Sequence, residues 1–361
     1  MRYQIITALL LIPITGCGLV LFNSSDADIS LDFNLSETAT KIVASDEPVF
    51  SEESIFESIS GMAGSHAATI VAFPDGELLA AWYSYPGDEE LDGSRIYMSR
   101  KAVDATVWSE PQVHIDRNCG DGNPVLYCEG DDVWFFQGVV PFGWSTSHID
   151  FQKSEDRGYT WSSPEVLNAE LGSNTRFPPI RLSNGNLLFP AYDDLWKRSL
   201  FFSSDDDGQT WSNLSAVASN PGNLQPSVVQ LSSGRLISVM RNEKKGCLWV
   251  MASDDEGETW SEPQDSGFLN PGSAAQIVRL ADGNLILVFN DSDTSRKPLS
   301  IAISADEGKT WANKKVLANG ENKYSYPTAI QSADGLIHIV YSLDRTTIRH
   351  ITTNEAWIVS E

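Results

Sequence analysis

Four stretches carry one pattern: SEDRGYTW at 154–161, SDDDGQTW at 204–211, SDDEGETW at 253–260 and SADEGKTW at 304–311. All fit Ser-x-Asp-x-Gly-x-Thr-Trp. They recur roughly every fifty residues, which is the period of a repeated structural unit. Degenerate copies stand at SRKAVDATVW (99–108) and TTNEAW (352–357). Asp and Ser favour turns because their side chains bond turn N–H groups, Gly supplies an unusual φ, and Trp offers a large apolar ring. The motif therefore reads as scaffold, with its acids on the periphery of the fold.

The segments between the motifs support this. ATIVAFPDGELLAAWY (68–83), PIRLSNGNLLFPAY (179–192), SVVQLSSGRLISVM (227–240), QIVRLADGNLILVF (276–289) and TAIQSADGLIHIVY (328–341) each pair two apolar runs across a glycine turn. NPVLYCEGDDVWFFQG (123–138) is a weaker sixth copy. Asp-Gly and Asn-Gly between such runs are hairpin signals, because these residues tolerate positive φ. A third run follows in every unit: RIYMSRKA, HIDFQKSE, SLFFSSDD, CLWVMASD, LSIAISAD and TIRHITTN. No amphipathic helix stands out. Six units of four short strands predict an all-β, six-bladed β-propeller. TATKIVASDEPVF (38–50) is the candidate to close the ring as the outer strand of the last blade.

The chain has 361 residues and a formal charge of −24. Such a chain repels nucleic-acid phosphates, so nucleic acid is excluded as a partner. An anionic ligand would need local arginines to overcome the overall field. The N-terminus MRYQIITALLLIPITGC (1–17) has one Arg, an apolar run and a Cys, which reads as an export signal. It resembles a lipoprotein signal that would leave Cys17 as the lipidated first residue, with Gly18 fitting outer-membrane sorting. The apolar GLVLF beyond it keeps an uncleaved membrane anchor as the rival. These features divide the chain into a signal (1–17), a Ser/Asp/Asn-rich tether (18–40) and a propeller (41–361), expected as an exported, membrane-anchored monomer. If GDGNPVLY between Cys119 and Cys128 is a strand, its ends lie roughly 25–30 Å apart. That is far beyond the ~7 Å that a disulfide spans. No Cys/His spacing suggests zinc.

Ser-x-Asp-x-Gly-x-Thr-Trp is the Asp-box, or BNR repeat, and the chain from about 60 to 361 resembles the sialidase superfamily, particularly its bacterial BNR-repeat proteins. The resemblance implies a six-bladed propeller with an axial site: three arginines around a carboxylate, a tyrosine nucleophile paired with a glutamate, and an aspartate acid. On this sequence it places Arg241 at the end of QPSVVQLSSGRLISVMR, Arg296 in TSRKPLSIAIS and Tyr324 in KYSYPTAIQSADG. His66, in SHAATIV, stands where the first arginine is expected. Gln225, in LQPSVV, takes the place of the glutamate, and Glu90 and Asp92, in GDEELDG, are nearest to the acid.

The residue chemistry extends this reading. Guanidinium groups bind carboxylates as bidentate forks. Tyrosine, with an ordinary pKa near ~10, needs activation. Gln225 cannot act as base, whereas His66 titrates near neutrality. Asn123 and Arg176 begin first strands, which line the axis, and Trp144 and His148 lie in a loop that could stack on a sugar. The leading expectation is a sialidase-like glycoside hydrolase acting, without cofactor or metal, on a terminal acidic sugar of a glycan. A uronate-specific lyase at the same site, using His and Tyr as acid and base, and a non-catalytic glycan-binding propeller are the alternatives.

Overall fold

The computed structural model describes residues 47–87, 93–311 and 313–360. Within them the chain forms six antiparallel sheets arranged as the blades of a propeller. Blade one runs Gly64–Ala72, Leu78–Tyr85, Arg95–Lys101 and Gln112–Ile115. Blade two runs Gly120–Glu129, Asp132–Val140, His148–Ser154 and Glu165–Asn168. In blade three the inner strand is broken into Ser173–Thr175 and Ile180–Arg181, followed by Leu187–Asp193, Arg198–Ser204 and Ser212–Ala218. Blades four and five occupy 223–270 and 276–318 in the same order. Blade six comprises Tyr324–Gln331, Ile337–Leu343 and Thr347–Thr353, completed by Phe50–Ser54 from the N-terminal side.

Ring closure is therefore by the expected device, displaced along the chain. The closing strand begins at Phe50, where the expected segment ends, and residues 38–46 of that segment lie outside the described residues. Val49 N–H donates to Asn354 Oδ1 at 3.0 Å, and Glu53 receives Lys101 Nζ of blade one at 2.6 Å, so this strand links the last blade to the first. The signal, the tether and Cys17 also fall outside the described residues. Cys119 stands just before the inner strand of blade two and Cys128 within it, and no disulfide joins the two.

The four Asp-boxes occupy the turn between third and fourth strands, and their geometry repeats. In blade four, Ser253 Oγ donates to Asp255 Oδ1 (2.8 Å), Gly257 N–H donates to Ser253 Oγ (2.9 Å), and Thr259 offers N–H and Oγ–H to the two carboxylate oxygens (2.8 and 2.5 Å). The residue before each box glycine, Arg157, Asp207, Glu256 or Glu307, has φ of 62°, 56°, 61° and 61°. The tryptophan of each box packs on the preceding blade. Trp211 meets Phe136 at 5.5 Å between ring centroids, Trp260 stacks on Phe201 at 4.5 Å, and Trp311 meets Phe268 at 5.6 Å. The motif is thus a turn lock that also fastens one blade to the next.

A second repeated device lies at the axis. The inner strands of blades one, two, four and six each skip register against the second strand, between His66 and Thr69, Gly122 and Val125, Leu224 and Ser227, and Ser325 and Thr328. At each skip one residue is left-handed: Ala67 (φ 54°), Asn123 (46°), Gln225 (56°) and Tyr326 (56°). Left-handed backbone is costly for a side chain-bearing residue and concentrates at functional sites. These bulges re-aim side chains toward one end of the axis.

Candidate active site

At that end His66, Tyr83, Asn123, Trp144, Tyr192, Asp194, Lys197, Gln225, Arg241, Arg296, Tyr326 and Arg345 line a chamber of about 270 Å³. Six expected residues, His66, Asn123, Trp144, Gln225, Arg241 and Arg296, are thereby brought together from four blades. A larger cavity of about 450 Å³ at the other end of the axis is lined by Val71, Ile277 and similar residues and holds none of this chemistry.

Tyr326 lines the chamber, and Tyr324, the expected tyrosine, does not. Tyr324 starts the inner strand of blade six, but its ring packs in an apolar cluster near Tyr341, at 5.9 Å between centroids, with its hydroxyl by Gly320. Alternation along the strand would put Tyr324 and Tyr326 on one face; the bulge at Tyr326 breaks that alternation. Arg241 Nη1 donates to the Tyr326 phenol oxygen at 3.2 Å, and the Arg296 guanidinium lies 5.1 Å from the ring centroid. Gln225 also hydrogen-bonds the phenol. Burial alone would raise the pKa of this phenol. Arg241, Arg296, the Gln225 hydrogen bond and Arg345 outweigh it and hold the phenol below its ordinary value. Neighbouring Tyr192 shifts the other way, raised first by burial and then by Tyr326.

Gln225 is buried between these tyrosines, and its Oε1 has no hydrogen-bond partner among the described residues. His66 is fully buried, with its ring 4.4 Å from that of Tyr326. Its Nδ1 lies 2.8 Å from Ser342 Oγ, while Nε2 has no partner among the described residues. Burial, then Arg345, Arg296 and Arg176, push its pKa well below the ordinary value, so the imidazole is neutral. Asn123 Nδ2 donates to Asn174 Oδ1 (3.0 Å) and the Tyr192 hydroxyl (3.1 Å), which fixes one wall.

Arg176 is not a ligand-facing residue. It is buried behind Tyr326, donating to the Ala68 carbonyl (3.2 Å), the Tyr326 and Pro327 carbonyls (2.6 and 3.1 Å) and Thr328 Oγ1 (2.9 Å). It ties blade three to blades one and six and braces the left-handed backbone of Tyr326. Burial lowers its pKa to about 10. His148 sits apart, 3.4 Å from Asp150. Glu90 and Asp92 fall outside the described residues.

Arg345, at the turn before the third strand of blade six, was missed. It supplies a third guanidinium to the chamber and has φ of 62°. Tyr326 did carry a signal. Asn123-Pro124, Gln225-Pro226 and Tyr326-Pro327 repeat one dipeptide form at one place in three inner strands, and all three leading residues line the chamber.

Residues 76–339 match the BNR repeat-like domain. A sialidase of Micromonospora viridifaciens is 27% identical, the match covering 86% of this chain; the chain spans 55% of that relative's length. Two solved structures share the fold. The Hadza microbial sialidase Hz136 has a TM-score of 0.73 at 19% identity, covering 82% of this chain and 67% of its own. The leech intramolecular trans-sialidase complexed with 2,7-anhydro-Neu5Ac has a TM-score of 0.74 at 14% identity, covering 86% and 71%. With four Asp-boxes, six blades and a chamber built at the axial bulges, this chain belongs to the BNR repeat-like domain family, as a propeller of the sialidase superfamily.

Proposed function

We propose that the protein is a glycoside hydrolase that removes a terminal, carboxylate-bearing sugar from a glycan. One observation carries this reading: Tyr326 is held below its ordinary pKa with Arg241 bonded to its phenol oxygen. Arg241, Arg296 and Arg345 supply cationic partners for the sugar carboxylate, which their charge and forked geometry favour. The Tyr326 oxygen attacks the anomeric carbon as the glycosidic C–O bond breaks, and water then cleaves the tyrosyl–sugar bond, returning the phenol. The amide of Gln225 cannot accept the phenol proton, so guanidinium charge and amide donation replace a carboxylate partner in stabilising the phenolate. Asp194 is the one carboxyl among the described chamber residues, and Lys197 holds it at 3.0 Å. The reading assigns proton donation to the leaving oxygen to Glu90 or Asp92. The sialidase relative supports the substrate class.

The experiment is turnover of a fluorogenic sialoside, with capture by a fluorinated glycosyl fluoride of the same sugar. Adduct mass on the peptide containing Tyr326 is expected; turnover with no adduct there sinks the mechanism.

Elimination from a uronate is the second reading, favoured by the neutral His66 beside Tyr326. Neutral His66 would take the proton next to the carboxylate at Nε2, and the Tyr326 phenol would pass its proton to the leaving oxygen as the C–O bond breaks. New ultraviolet absorbance from an unsaturated uronate, without fluorophore release, selects this reading. Binding across a glycan panel with neither reaction selects a non-catalytic propeller. Export on a lipid anchor at Cys17 is part of the same proposal, and mass spectrometry of the mature N-terminus tests it.

A further inference from the structure

A chamber of about 270 Å³ lies just below the ~300–1,000 Å³ of sites that take drug-sized ligands. It takes about one sugar ring; past Arg241, Arg296 and Arg345 it continues into a polar cleft of about 550 Å³, and on the other sides the remainder of a glycan leaves across the rim. On the blade two and blade three side that rim is apolar and rigid. Phe142 is 89% exposed and Trp196 70% exposed, with Leu171 and Leu195 also exposed between them in the chain. Large side chains exposed together mark binding surfaces.

These residues stand on three loops knitted by backbone. Gly172 N–H donates to the Ser147 carbonyl and Asp194 N–H to the Gly172 carbonyl, both at 2.8 Å. The turn presenting Trp196 is pinned further. Buried Asp193 accepts the N–H groups of Leu195 (2.9 Å) and Trp196 (3.0 Å) and binds Arg198 Nε (2.9 Å). Lys197 is left-handed, with φ of 54°. The residues on either side of the exposed pair, Asp194 and Lys197, line the chamber, as does Trp144 two positions beyond Phe142. An indole left 70% exposed beside the chamber mouth adds little to the core.

We propose that Trp196 is the stacking platform for the neutral sugar attached to the terminal acidic one, and so sets preference for the leaving group. This rests on the chamber being the site of the terminal sugar. The C–H face of a pyranose meets the indole face, while Leu195 and Phe142 extend the surface.

Two measurements separate this inference from the reading beneath it. The first compares kcat/KM for sialyllactose and for the methyl sialoside. Trp196→Ala lowers the ratio about three- to tenfold, the scale of one aromatic contact. Tyr159→Ala, an exposed aromatic at an outer Asp-box turn, leaves the ratio unchanged. An unaltered ratio in Trp196→Ala overturns the platform. The second needs no turnover. The full chain is labelled with fluorotryptophan, and the Trp196 resonance is assigned by its loss in Trp196→Phe. Titration with lactose, maltose and cellobiose shifts that resonance saturably if the platform exists, even where neither sialoside is cleaved. No shift with any of them, or a shift that follows protein concentration and so marks a second copy on this face, overturns it.

Discussion

Arg241 Nη1 donates to the phenol oxygen of Tyr326 across 3.2 Å, joining blade four to blade six at the chamber floor. On the proposed function it makes Tyr326, rather than Tyr324 two residues earlier, the reactive tyrosine. Tyr326→Phe keeps the ring contacts with His66 and Arg296 but removes the oxygen. It is expected to lower kcat by at least about a hundredfold, as loss of a nucleophile does. Tyr324→Phe is expected to stay within about twofold of wild type. Steady-state kinetics of the pair decide it; the opposite ranking rejects the assignment.

The same contact predicts a pH profile. The phenol is deprotonated above its pKa, which the arginines hold below the ordinary ~10. A rate that requires phenolate therefore rises with pH through that lowered value. Arg296→Gln removes one of the opposing charges, so the rise moves to higher pH. Ultraviolet difference titration of tyrosinate reports the same shift without substrate, and a limb that does not move excludes guanidinium control of Tyr326.

Arg176 offers a test of structure against catalysis. Its guanidinium satisfies four acceptors in a buried site. Arg176→Met fills much of the space but leaves those acceptors unpaired, at a cost on the order of 3–5 kcal/mol. The expected result is a large fall in the denaturation midpoint together with reduced kcat, because the backbone of Tyr326 loses its brace. Unchanged stability would mean that the bulge holds without it.

The blades were legible in the sequence because turn chemistry is local. An Asp-box needs eight consecutive residues, and its hydrogen bonds close within them. The site was legible where a chamber residue closes a regular strand, as Arg241 does, and at Gln225 through the family resemblance, although Gln225 stands at a bulge like that of Tyr326. It was illegible where geometry departs from strand alternation. Counting by twos treats Tyr324 and Tyr326 as equivalent, and only the bulge at Tyr326 separates them. Arg345 lies in a turn with no motif, and its approach to the axis depends on the ring being closed. Arg176 sits at the right place in its blade, but its fate was decided by carbonyl groups of two other blades.

Asp255 predicts the converse of the tyrosine result. Its carboxylate organises one outer turn through Ser253 and Thr259, remote from the chamber. Asp255→Ala is expected to lower stability by about 1 kcal/mol and leave kcat unchanged. A selective loss of activity, with the melting temperature intact, would give the Asp-box a part in the chemistry.

The closure of the ring carries its own pH dependence. His350 Nδ1 lies 2.9 Å from Glu53 Oε1, its Nε2 lies 3.0 Å from His338 Nδ1, and His338 Nε2 lies 3.0 Å from Ser332 Oγ. Both rings are satisfied when each carries one proton, so the buried chain is neutral apart from Glu53, which Lys101 also engages. Burial and the adjoining His350 push His338 down to about 4, with Asp334 opposing and Lys101 assisting; burial also lowers His350, although Glu53 opposes it. Glu53 is held at about 2, where bonds from His350 and Lys101 overcome the effect of burial. Unfolded histidine takes up its proton near ~6.5. Between about 6.5 and 4 the unfolded chain therefore binds protons that the folded chain refuses, and stability falls as pH drops through that window. Protonation of unfolded Glu53 adds a further loss from about 4.5 downward. His338→Gln weakens closure at neutral pH but removes one of the titrating rings. Denaturant midpoints measured above and below the histidine window should thus differ less in the variant than in wild type. Equal losses in the two proteins would show that acid opens the propeller somewhere other than this seam.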